Sequence, residues 1–309
     1  MKRLILFTVF SMICISQVWS QQEIFSRHYL LNPILINPGY TGFQDHHNLL
    51  FNYNNQLSGW GDNGAPKTVT ASYNAPVNEH IGLGALLSSD NAASLVTSRT
   101  SLSYAYKFIV NDFNLSLGLA TTFEQRRLKG AALLDPEIDT SDPYLIDATN
   151  GTKVFDAAFG LHGAAQDFYF GLASPNLIRA RVNKDNEVPN ETNTFLEYFL
   201  AYVGYKWAVE DNNFYVEPSI LVRNLRDAPF MVDFNGKVYF FEDQLIGGLT
   251  YTLGGGDGIS VLLGAALTNF DLYYSYTSSF QPSQQYHNGG HELSVQFTFG
   301  SRKKKMEDE

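Results

Sequence analysis

The stretch His291–Phe299 constrains the fold most, because its side chains alternate strictly between apolar and polar. A period of two is that of a β-strand with one apolar and one polar face. In a soluble sandwich the apolar face would meet a core. In an outer-membrane barrel it would meet lipid, and the polar face would meet a wet lumen. The apolar positions are Leu293, Val295, Phe297 and Phe299, and the polar positions are Glu292, Ser294, Gln296 and Thr298.

The same alternation recurs along the chain and predicts about fourteen strands. Most approach the ~9–11 residues that a tilted strand needs to cross a bilayer. Within one of them Pro218 removes a backbone donor, which predicts a bulge or a local break. The predicted strands lie near 48–57, 68–76, 81–88, 98–110, 113–123, 153–164, 167–175, 197–207, 214–224, 231–239, 244–253, 259–267, 270–276 and 291–299.

The connections between these strands alternate between long and short, which favours a barrel over a sandwich. Outer-membrane barrels have tight periplasmic turns and longer external loops. An even number of strands then places both chain termini in the periplasm. The short connections are 77–80, 111–112, 165–166 and 268–269; the long ones are 58–67, 124–152, 176–196 and 277–290, and the glycine-rich 254–258 predicts a tight hairpin on the long-loop side.

The first twenty residues resemble a secretory signal peptide. Lys2 and Arg3 precede an apolar run that ends before Gln21. No later apolar stretch reaches the ~20 residues of a membrane helix. A mature chain in a membrane must therefore close a barrel, since every backbone group there needs a partner. The predicted fold is all-β: a transmembrane up-and-down antiparallel β-barrel of about 14 strands in the outer membrane, reached by export through a cleaved signal peptide.

Cleavage after Ser20 would leave a mature chain without cysteine, because Cys14 lies within the signal peptide. Ser11 stands where a lipoprotein signal would have leucine, so we do not expect lipidation. Disulfides, thiol catalysis and thiolate metal sites are then excluded. Loss of Lys2 and Arg3 takes the net charge from −10 to −12, and an acidic exported protein is a poor binder of nucleic acid.

Four regions are predicted. Residues 1–20 form the signal peptide, 21–47 an N-terminal periplasmic or plug segment, 48–299 the barrel, and 300–309 a charged periplasmic tail. The first of the mature regions contains Asn32-Pro33 and Asn37-Pro38, which are typical of turns.

Several polar groups are candidate sites, each with a simpler alternative. The acidic loop 135–142 has oxygen ligands that suit calcium, but it lacks the glycine and the terminal glutamate of an EF-hand and equally fits a solvated loop. The pairs His46-His47 and His287/His291 could bind metal, although loop polarity is the better interpretation. The sequence contains no nucleophile elbow or phosphate loop. We therefore predict no enzyme activity, cofactor or metal site, and the partner-binding residues stay unknown.

Five charged residues are predicted to face the lumen. They either pair inside the barrel, line a passage, or form a polar network that only supports the fold. A bore of about fourteen strands exceeds what side chains fill, so we expect a plug, with 21–42 as the candidate. The long loops 124–152 and 176–196 are the expected external binding surface. The five charged residues are Lys107, Asp156, Glu217, Arg223 and Glu292.

Short motifs in a fixed order resemble the PorP/SprF family of outer-membrane proteins, which belong to the type IX secretion and gliding machinery of the Bacteroidetes. One departure is Gln56-Leu-Ser-Gly-Trp60, where adjacent Gln and Trp are expected, and it affects the first external loop. The motifs are Phe25-Ser-Arg-His-Tyr29, Asn32-Pro33, Asn37-Pro38-Gly39-Tyr40, Gly42, Ala65-Pro66-Lys67-Thr68, Asp156 to Leu161, Phe168-Tyr-Phe-Gly-Leu172, Pro175-Asn176-Leu177, Phe214-Tyr-Val-Glu-Pro-Ser219 and Gly290-His291-Glu292.

The resemblance implies a non-enzymatic barrel that docks or retains secreted surface proteins, or links the outer membrane to periplasmic components. It implies type IX secretion components as partners, with a secreted surface protein as client, in contact with outer-membrane lipid and not with nucleic acid. The alternative, which the polar lumen faces favour, is a passive porin or small-solute transporter. A barrel enzyme such as a lipase or protease is a weaker third hypothesis.

Overall fold

The computed structural model describes residues 25–59, 64–129, 151–182, 197–209, 214–226, 228–241, 243–255, 257–267 and 270–300. The predicted signal peptide, the acidic loop 135–142, Trp60 and the charged tail after Gly300 lie outside these residues. Within the described part of the chain, no helix is long and apolar enough to span a membrane.

Every predicted strand is present, and the alternating pattern explains where each one lies. The strand segments are β1 His47–Asn55, β2 Lys67–Pro76, β3 Ile81–Ala92, β4 Leu95–Val110, β5 Phe113–Leu128, β6 Thr152–Ala165, β7 Phe168–Ser174, β8 Ala180–Arg181, β9 Phe199–Tyr205, β10 Trp207–Val209, β11 Phe214–Asn224, β12 Met231–Phe240, β13 Leu245–Leu253, β14 Gly258–Ala266, β15 Phe270–Ser279 and β16 Gly290–Phe299.

The segments close into an antiparallel barrel of fourteen strands, as predicted. Each strand pairs with its neighbours in sequence, and β16 pairs with β1. The short β8 continues β7 along β6, and β10 continues β9 along β11. Sixteen segments therefore make fourteen strands of the wall.

Four strands extend three or more residues beyond their predicted bounds: the adjacent strands β3, β4 and β5, and β15 at its end. β3 ends at Ala92, β4 begins at Leu95 and β5 ends at Leu128. Here the ladder continues through charged residues, with Arg99 directly opposite Glu124 and bonded to it at 2.7 Å. In the part of the wall that the sequence pattern had assigned to a loop, cross-strand ion pairs thus take the place of the apolar alternation.

The connections define two ends of the barrel. The short-turn end holds the connections after β2, β4, β6, β10, β12 and β14, together with the start of β1 and the end of β16. The long-loop end holds the others, including two tight ones: Ala93-Ser94 and the predicted hairpin after Leu253. In outer-membrane barrels the short turns are periplasmic.

The two faces of the wall differ as the sequence predicted. Along β1, Asn52 is buried in the lumen, whereas Phe51 points outward and is 48% exposed. The residues of β16 follow the same rule, with Ser294 buried and Leu293 exposed. Exposed aromatic and aliphatic side chains cover the outside, which suits a surface against lipid.

Pro218 causes a local break and not a bulge. On one side it lies opposite Gly236 of β12 in an unbroken ladder. On the other side β9 and β10 are interrupted at Lys206, yet the register of Ser219 with Gly204 and of Val216 with Trp207 is the same. The missing backbone donor therefore interrupts one ladder without inserting a residue.

Candidate functional site in the barrel lumen

The N-terminal segment, residues 25–46, lies inside the barrel. Both Asn-Pro pairs begin short 3-10 turns, at Pro33–Leu35 and Pro38–Tyr40, and a third turn covers Arg27–Leu30. Proline suits the first position of such a turn because its fixed φ matches and its missing N–H is not needed. The segment contacts walls on opposite sides of the bore, from β15 and β16 to β4, β5 and β6.

Glu292 of β16 holds the beginning of the segment. Its carboxylate accepts hydrogen bonds from the Ser26 hydroxyl, from the backbone N–H of Arg27 at 2.8 Å and from the Asn52 amide at 2.7 Å. A charge with three donors is well compensated despite its burial. The predicted lumen residue Glu292 is thus an attachment point for the N-terminal segment.

Asp233 of β12 is a second attachment point and is fully buried. Arg27 from the segment reaches it at 3.0 Å, Arg223 from β11 at 3.3 Å, and the Thr252 hydroxyl donates to it at 2.6 Å. Two guanidinium groups therefore share one carboxylate. The cluster ties the segment to three strands of the wall.

Lys237 of β12 forms the third attachment point. Its ammonium group donates to the Leu30 carbonyl at 2.7 Å and lies 2.8 Å from Glu217. Glu217 also accepts hydrogen bonds from the hydroxyls of Tyr169 at 2.6 Å and Tyr239 at 2.7 Å. This ion pair is largely buried, with side chains 4% and 8% exposed, and the segment completes it.

The backbone in the middle of the segment packs directly against glycines of the wall. An added Cβ on Gly118 of β5 would approach the Pro38 carbonyl oxygen to 2.1 Å, and one on Gly160 of β6 would approach the Gly39 nitrogen to 2.6 Å. Gly82 of β3 meets Gly42 in the same way. We call Gly82, Gly118 and Gly160 the glycine lane. Only a glycine allows two backbones to approach this closely.

Asn37 fixes the segment against this lane. Its amide group donates to the Leu161 carbonyl at 2.9 Å and to the Tyr202 hydroxyl at 3.0 Å. Its side-chain oxygen accepts from the Gly39 N–H at 2.8 Å. The side chain is fully buried, so each of these bonds replaces one that water would otherwise provide.

The end of the segment is bonded at the short-turn end. Thr41 donates to the Ser103 hydroxyl at 2.9 Å, and the Gly42 N–H donates to Asn74. The predicted lumen residue Lys107 donates to the Phe43 carbonyl at 3.1 Å. Attachment therefore extends along the whole segment.

Two cavities remain on either side of the segment, and Ile36 lies between them, lining both. The inner cavity, at the short-turn end, has a volume of about 450 Å³ and is rich in tyrosine. The outer vestibule, at the long-loop end, has a volume of about 420 Å³ and is lined by hydroxyls, carboxylates and arginines.

The five predicted lumen residues all face the bore, but they do not form one cluster. Glu217, Arg223, Glu292 and Lys107 contact the segment or its partners, as described above. Asp156 lies apart and accepts hydrogen bonds from the backbone N–H groups of residues 178 and 179. Glu217 pairs with Lys237 and Arg223 with Asp233, whereas Lys107, Asp156 and Glu292 bond to backbone groups or neutral side chains.

The histidines of the two predicted pairs, His46-His47 and His287/His291, do not come together as metal sites. His47 bonds to the Tyr73 hydroxyl at the short-turn end, whereas His291 bonds to the Tyr274 hydroxyl near the long-loop end. His46 is next to Asp45, and His287 accepts from the Gly289 N–H. Among the residues that the structure describes, no three histidine, cysteine or carboxylate side chains are grouped to hold a metal ion.

Sequence reasoning missed the glycine lane and the role of Asp233. A signal for the lane was present, because the paired positions across these strands all carry small residues: Gly82 lies opposite Ala105, Ala105 opposite Gly118, Gly118 opposite Gly160, and Gly160 opposite Ala173. Asp233 gave no signal, since a lone aspartate on a strand is not distinguishable from any other lumen residue.

Comparison with known proteins decides the family. The sequence profile described as "Type IX secretion system membrane protein PorP/SprF" matches residues 18–297. The chain belongs to the PorP/SprF family. None of the curated proteins searched matches this PorP/SprF protein.

Solved structures similar to this PorP/SprF protein are outer-membrane barrels. A deltaS2S3 mutant of the TodX monoaromatic hydrocarbon channel has a TM-score of 0.50 at 9% identity, over 89% of this chain and 94% of the channel. A Pseudomonas aeruginosa FadL homologue scores 0.48 at 13% identity, over 85% and 92%. The Acinetobacter baumannii protein Omp33 scores 0.45 at 8% identity, over 84% and 100%. At these identities the likeness concerns the fold alone.

The fully buried His28 predicts that acid weakens the attachment of the segment. Its ring nitrogens bond to the hydroxyls of Ser294 and Ser275, burial lowers its pKa, and the Glu292 carboxylate opposes this shift only in part. The neutral ring therefore stabilises the fold above the unfolded-state pKa of ~6.5. That stability is lost as pH falls below this value, by at most about 1.4 kcal/mol per pH unit.

The measurement is the free energy of unfolding in denaturant between about pH 5 and pH 8, the range in which histidine titrates. His28→Gln should flatten the slope below pH 6.5, and His80→Gln, at an exposed position, should leave it unchanged. Equal slopes in wild type and His28→Gln would contradict the prediction.

Proposed function

We propose that this PorP/SprF protein is a sealed, non-enzymatic barrel of the type IX secretion machinery. It docks or retains secreted surface proteins, or it links the outer membrane to periplasmic components. In this role the N-terminal segment is a resident plug, and the barrel acts as a membrane anchor for interacting surfaces rather than as a passage.

One observation carries this proposal: buried charges of the wall are completed by the N-terminal segment. Arg27 supplies one of the two cations on Asp233, and Leu30 supplies the acceptor for Lys237. Removing the segment would break both contacts, and the wall groups could replace them only with water that enters the bore. A barrel built in this way is poorly suited to open and close as a pore.

The porin or transporter alternative has one observation in its favour, the polar lining of the outer vestibule. A porin, however, needs a continuous water-filled channel. Here Ile36 and the rest of the segment stand between the two cavities. The alternative therefore requires the segment to leave, whereas the anchor function does not.

We also propose that the protein has no catalytic role. The lumen carboxylates are engaged by structural donors: Asp233 by two guanidinium groups, Glu292 by three donors, and Glu217 by Lys237 and two tyrosines. A general acid or base needs a site where a substrate atom can replace such partners. In the structure each of these three carboxylates is already occupied by such partners.

The interacting surfaces are proposed to lie at both ends of the barrel. The long loops 124–152 and 176–196 suit a secreted client, because binding residues are commonly on loops held by a rigid scaffold. The short turns and the tail 300–309 suit periplasmic partners. Most of both loops lies outside the described residues, so no contact residue is assigned.

The experiment is a comparison of surface and secreted proteins with and without the gene. We expect loss of one or a few large surface proteins, or of most type IX cargo, and recovery of them with the wild-type gene. Gly247→Val, an outward position with no atom within 4 Å of an added Cβ, should restore them equally. An unchanged set of surface proteins, with normal uptake of small solutes lost, would favour the porin instead.

A further inference from the structure

Two neighbouring strands carry matching, mostly apolar bands on their outward faces. On β5 the band runs from Phe113 to Phe123, and on β6 it runs from Ala165 to Phe155. The ends of the two bands coincide, because Phe113 lies opposite Ala165 and Phe123 lies opposite Phe155. Ten residues rising by ~3.3 Å each, on a strand tilted by about 40°, span a height of ~25 Å, that of a lipid-facing band. Phe123 and Phe155 therefore mark its edge at the long-loop end.

The outward face becomes polar and basic directly above this edge. Two residues beyond the aromatic rings, Gln125 of β5 lies opposite Lys153 of β6, and Arg127 follows on β5. Arg127 and Lys153 are therefore diagonal neighbours on one face, with Cα atoms ~7–8 Å apart, which is within reach of long side chains. Both side chains are exposed. Their position just above the band places these two cations at the height of the lipid headgroups.

The carboxylates of this part of the wall face the lumen instead. Asp90, Glu124 and Asp156 all line the outer vestibule. Like charges at diagonal positions repel each other, and an anion placed between the two cations would offset this repulsion. None of the described outward neighbours of the two cations is a carboxylate: they are Val96, Ser98, Gln125, Lys129 and Val182.

We propose that Arg127 and Lys153 bind the phosphate group of a lipid in the outer leaflet of the outer membrane. The guanidinium group can donate two parallel hydrogen bonds to phosphate oxygens, and the ammonium group adds donors from the neighbouring strand. The acyl chains of the same lipid lie against the rings of Phe123 and Phe155. The apolar band directly beneath the cations favours a lipid over a free phosphate ion, which has no apolar part to bury.

The site would tie the projecting part of the wall to the membrane surface. Beyond Phe123, β5 continues to Leu128 above the band, and a lipid bound at the base of this extension fixes its height. In outer-membrane barrels the end with the longer loops faces the cell exterior. The leaflet concerned is therefore the outer one, whose phosphorylated glycolipid supplies the anion. None of this depends on the secretion role.

Native mass spectrometry of the full-length protein tests the proposal. Protein purified from outer membranes is stripped of lipid in detergent and titrated with diphosphoryl lipid A, and in parallel with phosphate-free lipid A and with phosphatidylglycerol. Arg127→Gln/Lys153→Gln removes both charges, whereas Arg127→Lys/Lys153→Arg keeps them. Lys206→Gln, which removes a cation between β9 and β10 at the short-turn end, is the matched control. Heat-modifiable gel migration establishes that each variant is folded.

We expect the double glutamine variant to bind diphosphoryl lipid A at least about tenfold more weakly than wild type, because it loses charge-assisted hydrogen bonds. The charge-conserving variant and Lys206→Gln should bind it as wild type does, and phosphate-free lipid A should bind weakly to all variants. Equal binding of diphosphoryl lipid A by wild type and the double glutamine variant would overturn the site. Tighter binding of phosphatidylglycerol, lost in the same variant, would overturn the outer-leaflet source.

Discussion

Gly118→Val is expected to expel the N-terminal segment from the lumen. Valine favours a strand, so the wall itself should tolerate it. The added Cβ, however, would lie 2.1 Å from the Pro38 carbonyl oxygen and 2.5 Å from the Gly39 nitrogen. These are backbone atoms and cannot rotate away, so the cost should exceed the ~1–3 kcal/mol of ordinary overpacking. Displacement would also break the Arg27–Asp233 contact.

Trypsin provides a direct measurement, since Arg27 is a cleavage site that the bore protects. We expect wild type to keep its N-terminus and Gly118→Val to lose it after Arg27, detected as a mass change in the folded barrel. Gly247→Val is the matched control, because it makes the same substitution on the outward face with no neighbour within 4 Å. Equal protection in Gly118→Val and wild type would show that the close approach does not hold the segment.

Glu217→Ala is expected to destabilise the protein by about 3–5 kcal/mol, the usual cost of removing one partner from a buried ion pair. Lys237 would remain with its side chain 4% exposed and with one acceptor from the segment. Lys237→Met added to Glu217→Ala should recover part of this loss, since it removes the uncompensated charge. The measurement is a double-mutant cycle of unfolding free energies in denaturant.

The pair Lys206–Asp243 is a suitable comparison. It is separated by 3.4 Å, with side chains 34% and 47% exposed, and such pairs contribute under about 1 kcal/mol. Asp243→Asn should therefore be nearly neutral, because asparagine removes the charge and tolerates the φ of 68° at this position. If Glu217→Ala were as mild, or if the two lumen substitutions were simply additive, the ion pair would not support the segment as described.

Most of the barrel could be predicted because the residue pattern that specifies each strand lies within that strand. The alternation of apolar and polar residues in each strand indicates which face meets lipid. The lengths of the connections indicate at which end of the barrel each connection lies. The prediction failed where charge took over from apolar alternation, as at Arg99 and Glu124, whose strands continue beyond the predicted ends. It was also imprecise at Pro218, where sequence left open whether the ladder breaks or bulges.

The lumen site was harder to predict, because its contacts join residues far apart in sequence. Arg27 and Asp233 are separated by 206 residues, and nothing local to either indicates the other. The Asn-Pro motifs predicted turns correctly but not the surface that receives them. The glycine lane is visible only once the four strands from β3 to β6 are aligned in register, since each glycine alone is an ordinary strand residue.

Conductance of the wild-type protein in planar lipid bilayers tests most directly whether the barrel is sealed. Folded protein, verified by heat-modifiable migration, would be reconstituted and recorded at the single-molecule level. We expect no steady open state, because the N-terminal segment occupies the bore between the two cavities. A stable conductance step from the wild-type protein, with the segment still protected from trypsin at Arg27, would contradict it.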